Sequence, residues 1–107
     1  MTKHNSEETL AIFQKSAPVL SILLDENRQR ILLMLCQTDQ LTVSEITDRL
    51  SLSRPAVSHH LKLMRDAGIL AVNQVGTELY YRTNMADALG LLKQLVTALE
   101  ADVAGKK

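Results

Sequence analysis

The chain has 107 residues, 46% of them hydrophobic but only 3% aromatic, with a formal net charge of zero and a pI of about 6.8. That is the size of one domain (1–107) with an aliphatic core, and the charge balance argues against a broadly basic, nucleic-acid-coating surface. A single cysteine, Cys36, excludes an intramolecular disulfide and fits a reducing compartment; with no transmembrane-length apolar run and no signal-peptide pattern, the chain reads as soluble and cytoplasmic.

Residues 6–24 carry Leu10, Phe13, Ala17, Leu20 and Leu24 at helical spacing, and Glu7 and Glu8 suit the positive end of a helix dipole. Pro18 is expected to kink or split this helix near 15–17, or to open a second one capped by Ser16. Asp25 then reads as the N-cap of a central helix whose apolar run, Ile31, Leu32, Leu35 and Cys36, is expected to be buried. Thr42-Val-Ser-Glu45 matches a capping box and starts a short helix over about 43–50. After the connection Ser51-Leu-Ser53 comes a helix with Ser53 as N-cap, Pro55 in its first turn, Val57, Leu61 and Met64 on one face, and Gly68 at its C-terminal stop.

Beyond Gly68 the period changes to 2: Ile69 to Val72, a loop Asn73–Thr77 containing Gly76, and a return strand Leu79-Tyr-Tyr-Arg82. Asn84 reads as the N-cap of a last helix over about 85–103, with Leu92, Leu95, Val96 and Leu99 on its apolar stripe. Residues 1–5 and 104–107 read as frayed ends. The fold class expected is mainly α with a small β-hairpin: a winged helix-turn-helix of order α-α-α-α-β-β-α, helix-turn-helix over 42–67 and wing over 69–83. The first and last helices have more apolar surface than so small a core covers. They are expected to form a homodimer seam through Leu10, Phe13, Leu20, Leu92, Leu95, Val96 and Leu99.

The helix after Ser53 carries the functional reading. Its outward face holds Arg54, Ser58, His59, Lys62 and Arg65, and residues 51–83 have a net charge of +2 where residues 25–50 have −2. Donors and positive charge on one face of a helix are what reading a major groove requires. Ser53 and Arg54, at the helix start, are expected to contact DNA, with Arg54 reaching a base edge, Ser58 and His59 following along the groove, and Lys62 and Arg65 meeting phosphates. The wing tip is poor in Lys and Arg, so Gln74 and Thr77 are expected to make only weak contact with DNA. Adjacent His59 and His60 point about 100° apart, which disfavours a shared metal, and His60 is expected to pack toward the helix-turn-helix interface.

The chain resembles winged-helix repressors of the ArsR/SmtB type. The marks are Asp25-Glu-Asn-Arg28 running into Arg30-Ile-Leu32, Leu41-Thr-Val-Ser-Glu-Ile46, Leu52-Ser-Arg-Pro-Ala-Val-Ser-His-His-Leu-Lys62, Leu63-Met-Arg-Asp-Ala-Gly-Ile-Leu70 and Gly76 with Tyr80-Tyr-Arg82. The resemblance implies a homodimer on double-stranded DNA at an inverted-repeat operator, repressing transcription until an effector binds. It departs from the family's metal sensors. Thr42-Val-Ser44 stands where they carry Cys-x-Cys, and residues 84–104 contain no His or Cys, with Asp87 alone at a ligand-like position. No metal or other cofactor is therefore assigned, and the effector, small molecule or redox, is left open. A site shared across a dimer through His4, Asp87 or Glu100 is the remaining route to a metal.

No nucleophile–base pair, phosphate loop or carboxylate dyad emerges, so no catalytic residue is assigned and the chain does not read as an enzyme. The competing reading is a protein-interaction module on the same scaffold without DNA binding, which the zero net charge favours.

Overall fold

The computed structural model describes residues 6–105. Five helices and three short strands follow in the order α1 (Ser6–Ile22), α2 (Glu26–Cys36), β1 (Leu41–Thr42), α3 (Val43–Asp48), α4 (Arg54–Asp66), β2 (Leu70–Val75), β3 (Glu78–Thr83) and α5 (Ala86–Ala104). No described helix is long and apolar enough to cross a membrane.

Local chemistry sets most of the helix ends. Asp25 Oδ1 accepts from the Arg28 N–H at 3.0 Å to start α2, and this bond holds the Asp25 carboxyl below its ordinary value. In the capping box of α3, Thr42 Oγ1 accepts from the Glu45 N–H and the Glu45 carboxylate accepts from the Thr42 N–H, at 3.2 and 2.9 Å. Ser53 Oγ accepts from the Ala56 N–H at the start of α4. At its far end the Gly68 and Ile69 N–H groups return to the Arg65 and Met64 carbonyls at 2.9 and 3.0 Å, a Schellman closure with Gly68 at φ +79°. A methyl group at Gly68 would meet no neighbour, so Gly68→Ala isolates the backbone cost. It is expected to destabilise the fold by about 1–2 kcal/mol in chemical denaturation.

Two expected ends differ. α1 runs unbroken through Pro18; Ser16, proposed as a cap, is fully buried inside the helix, its hydroxyl donating to the Ile12 carbonyl at 2.7 Å. A proline in this place removes one helical donor, and the buried contacts of Val19 and Ile22 carry the helix past it. Asn84 does not cap α5, whose N-cap Met85 has no side-chain bond. Asn84 instead donates from its backbone to the Ile69 carbonyl at 2.8 Å and from Nδ2 toward the Gly68 carbonyl at 3.4 Å, tying the end of β3 to the end of α4. α3 ends at Asp48, two residues short of the expected span. Of the expected frayed ends, Ala104 belongs to α5 and Gly105 caps it, while residues 1–5, 106 and 107 lie outside the described residues.

The sheet is antiparallel, with order β1-β3-β2. The hairpin is tighter than the loop Asn73–Thr77 suggested: pairing continues to Val75 opposite Glu78, leaving Gly76 (φ +62°) and Thr77 to make the reversal. The third strand, Leu41–Thr42 opposite Tyr81 and Tyr80, was hidden because two residues carry no readable period.

The core gathers Ile31 and Leu35 of α2, Ile46 of α3, Val57, Leu61 and Met64 of α4, and Ile69, Leu70 and Tyr81 of the sheet. Cys36 is exposed, not a core residue as the sequence suggested. With Ile31 and Leu35 turned inward, the next position rotates about 100° away, and Leu33, 61% exposed, likewise faces out.

α1 and α5 pack against each other; Thr9 and Ser16 of α1 and Leu95 and Ala98 of α5 are buried, and Val19 and Ala88 reach the core. The small Ser16, Ala88 and Ala98 are suited to a close helix approach. Each helix also carries a second apolar stripe that the chain does not cover: Leu10 and Phe13 on α1, and Leu89, Val96, Leu99 and Val103 on α5.

Candidate nucleic-acid interface

α4 is held from beneath and open above. Val57, Leu61 and Met64 have no exposed surface, so three successive turns are locked to the core at aliphatic contacts. Arg54, Ser58, His59, Lys62 and Arg65 are all exposed. The sequence placed these five on one outward face, and they lie there. Ser53, at the start of that face, is used as the helix cap.

Each cation on the face has a partner that DNA would have to replace or share. Arg54 Nη1 donates to Ser44 Oγ of α3 at 2.6 Å, laying the guanidinium across the turn between α3 and α4. Lys62 Nζ lies 3.0 Å from Asp66 Oδ2, and Arg65 Nη2 3.6 Å from Asp66 Oδ1. The Lys62 hydrogen bond holds the Asp66 carboxyl below its usual range, so it stays charged at neutral pH and offsets part of the face's positive potential. Asp66→Asn is therefore expected to raise affinity for any duplex by about two- to tenfold at roughly 50 mM salt, measured by fluorescence anisotropy, with no gain in discrimination.

His59 and His60 diverge, with ring centroids 6.3 Å apart. His59 is exposed, while half-buried His60 turns toward α2, where its Nδ1 lies 3.4 Å from Arg28 Nη1. At the wing, Gln74 Nε2 donates to the Gly76 carbonyl at 3.1 Å and so braces the turn, and Thr77 is exposed at the tip. Ser44 and Arg28 are the residues that reading the sequence did not bring to the site. Their partners lie 10 and 32 positions away, beyond any local pattern. Among the described residues, no three His, Cys, Asp or Glu side chains gather as a metal site requires.

Residues 25–72, from the cap of α2 into β2, match the model of the bacterial regulatory protein arsR family. The transcriptional repressor SdpR of Bacillus subtilis is 30% identical over 62% of this chain and 72% of its own length. The chain belongs to the arsR family. The arsenic resistance transcriptional regulator ArsR1 of Pseudomonas putida is 41% identical over 60% of this arsR-family chain, which spans half of that relative's length. An ArsR-like transcriptional regulator from Rhodococcus sp. RHA1 superposes with a TM-score of 0.78 and 27% identity, over 89% of this chain and 85% of the other. In this arsR-family chain α3 and α4 thus stand as the helix-turn-helix and β2 and β3 as the wing.

Of the residues expected at a dimer seam, Leu10, Phe13, Val96 and Leu99 are exposed and Leu20 and Leu92 half-buried, whereas Leu95 is buried within the chain at 7% exposure. Leu95 sits on the stripe of α5 that faces α1, one position from the open stripe.

Proposed function

We propose that the protein is a transcriptional repressor that binds double-stranded DNA as a homodimer, one α4 entering the major groove at each half of an inverted repeat. The observation that carries this reading is the outer face of α4, where five exposed polar or basic side chains stand on a helix whose opposite face is fully buried. Arg54 reads a base edge, Ser58 and His59 follow it, Lys62 and Arg65 hold phosphates, and Gln74 and Thr77 give the wing a weak contact. The open stripes of α1 and α5 support the dimer: Leu10 and Phe13 on one helix and Val96 and Leu99 on the other are exposed apolar side chains that a two-fold partner would cover with the same residues of its own. Acting on DNA, the protein works in the cytoplasm.

The effector in this reading is not a metal held by one protomer. Arsenic and cadmium, named in several relatives, prefer thiolates, and Cys36 is the single thiol here. Asp87 and Glu100 remain for a site shared across the dimer, and His4 lies outside the described residues.

The deciding experiment is electrophoretic retardation of the DNA upstream of the protein's own gene at about 50 and 200 mM salt. A retarded band that weakens steeply with salt is expected. No band at the lower salt, or a band indifferent to salt, would favour the interaction-module reading that the zero net charge supports.

A further inference from the structure

The protein is elongated, 57 × 25 × 21 Å, with a radius of gyration of 17.1 Å; a compact chain of this length would have about 13 Å. The length comes from the α1–α5 pair, whose principal contacts are with each other, while α2, α3, α4 and the sheet pack among themselves. Apolar contact between the two parts lies where Val19, Ile22 and Ala88 join the core and Leu23, Met85 and Leu92 pack against it. The angle between the two parts is set by that apolar contact and by the polar ties beside it.

Arg28, in the first turn of α2, stands at that junction and binds in both directions. Its Nε donates to the carbonyl of Ile22, the last residue of α1, at 3.1 Å, satisfying an acceptor that the end of a helix leaves unpaired. Its Nη1 lies 3.4 Å from His60 Nδ1 on the reading helix. Its own N–H is held by Asp25, which fixes the base of the side chain. Gln29 adds a parallel tie, Nε2 donating to the Leu23 carbonyl at 2.7 Å. Because a guanidinium only donates, the contact with His60 requires Nδ1 as acceptor and the ring proton on Nε2.

We propose that Arg28 is a positioning residue: through Ile22 and His60 it holds the reading helix at a set angle to the α1–α5 pair. In a dimer joined through α1 and α5, that angle sets the separation of the two reading helices, and hence the half-site spacing the protein accepts. The inference rests on the dimeric DNA-binding reading above. It makes Arg28 act on the fit to an operator without touching it.

The test uses the full chain and a duplex enriched from a random-sequence pool by the wild-type protein, with an unselected duplex of the same length as control. Affinities are measured for wild type, Arg28→Leu, His60→Leu, the double variant and His60→Gln, together with melting temperatures. On the selected duplex each leucine variant is expected to lose about tenfold or more, and the double variant no more than the worse single one. On the unselected duplex the losses stay below about threefold, and His60→Gln, whose amide oxygen can still accept from Arg28, recovers most of the affinity. Lengthening or shortening the spacer of the selected duplex by one base pair should penalise wild type more than Arg28→Leu. Equal losses on both duplexes, additive losses, or unchanged spacer preference would overturn the assignment while leaving DNA binding standing. Failure of the wild type to enrich any duplex would overturn the DNA-binding reading and this inference together.

Discussion

Val96→Glu is expected to convert the protein to a monomer and to cost on the order of 10²–10³ in affinity for a two-half-site operator. Val96 is 55% exposed in the isolated chain, so a glutamate there has room and the protomer should fold with a near-unchanged circular dichroism spectrum. In a two-fold interface the substitution enters twice, placing two carboxylates in an apolar band between Leu89, Leu99 and Val103. The loss of affinity follows from avidity: with one reading helix per molecule, the second half-site is no longer bound at the high effective concentration that linkage provides. Sedimentation velocity and anisotropy on the same sample check both parts. A dimer that survives Val96→Glu would count against the α1–α5 seam. Leu95→Glu is the instructive contrast, because Leu95 is buried against α1 and its loss is expected to unfold the α1–α5 pair itself.

Arg54→Ala is the second large effect. A guanidinium bidentate to a guanine edge contributes about 1–3 kcal/mol of discrimination, so cognate affinity should fall by roughly five- to 150-fold while binding to random duplex changes little. Arg54 now donates to Ser44 at 2.6 Å, a contact that holds its guanidinium across the α3–α4 turn, beside the face proposed to meet DNA. Arg54→Lys should recover charge but not the fork, restoring general affinity without discrimination. Lys62→Ala, by contrast, should weaken all duplexes alike and reduce the salt slope by about one. Equal losses for Arg54→Ala on cognate and random DNA would remove the base-reading role.

The local signals translated well into structure. The capping box at Thr42 and Glu45, the caps at Asp25 and Ser53 and the stop at Gly68 lie where the sequence put them, because each is made of bonds between residues three to five apart. The two faces of α4 were legible for the same reason, since a period of 3.6 sorts Val57, Leu61 and Met64 from Arg54, Ser58 and Lys62 without any tertiary information. Where residues had rival partners, local reading failed. Asn84 looked like a cap, which would accept through its side-chain oxygen, but it donates instead to the carbonyls of Gly68 and Ile69 after α4. Ser16 looked like a cap after a helix break, but its hydroxyl bonds the turn before it and lets it lie buried against α5.

The sequence by itself therefore determined the order of the helices and the hairpin, the winged helix-turn-helix and the chemistry of its outer face, all consequences of spacing along one chain. Tertiary structure alone decided which of two adjacent apolar stripes on α1 and α5 is used within the chain and which is left open. It also brought Arg28 to His60, Arg54 to Ser44 and Leu41 beside Tyr81. Those pairings depend on how helices and strands pack across distances that no local period encodes.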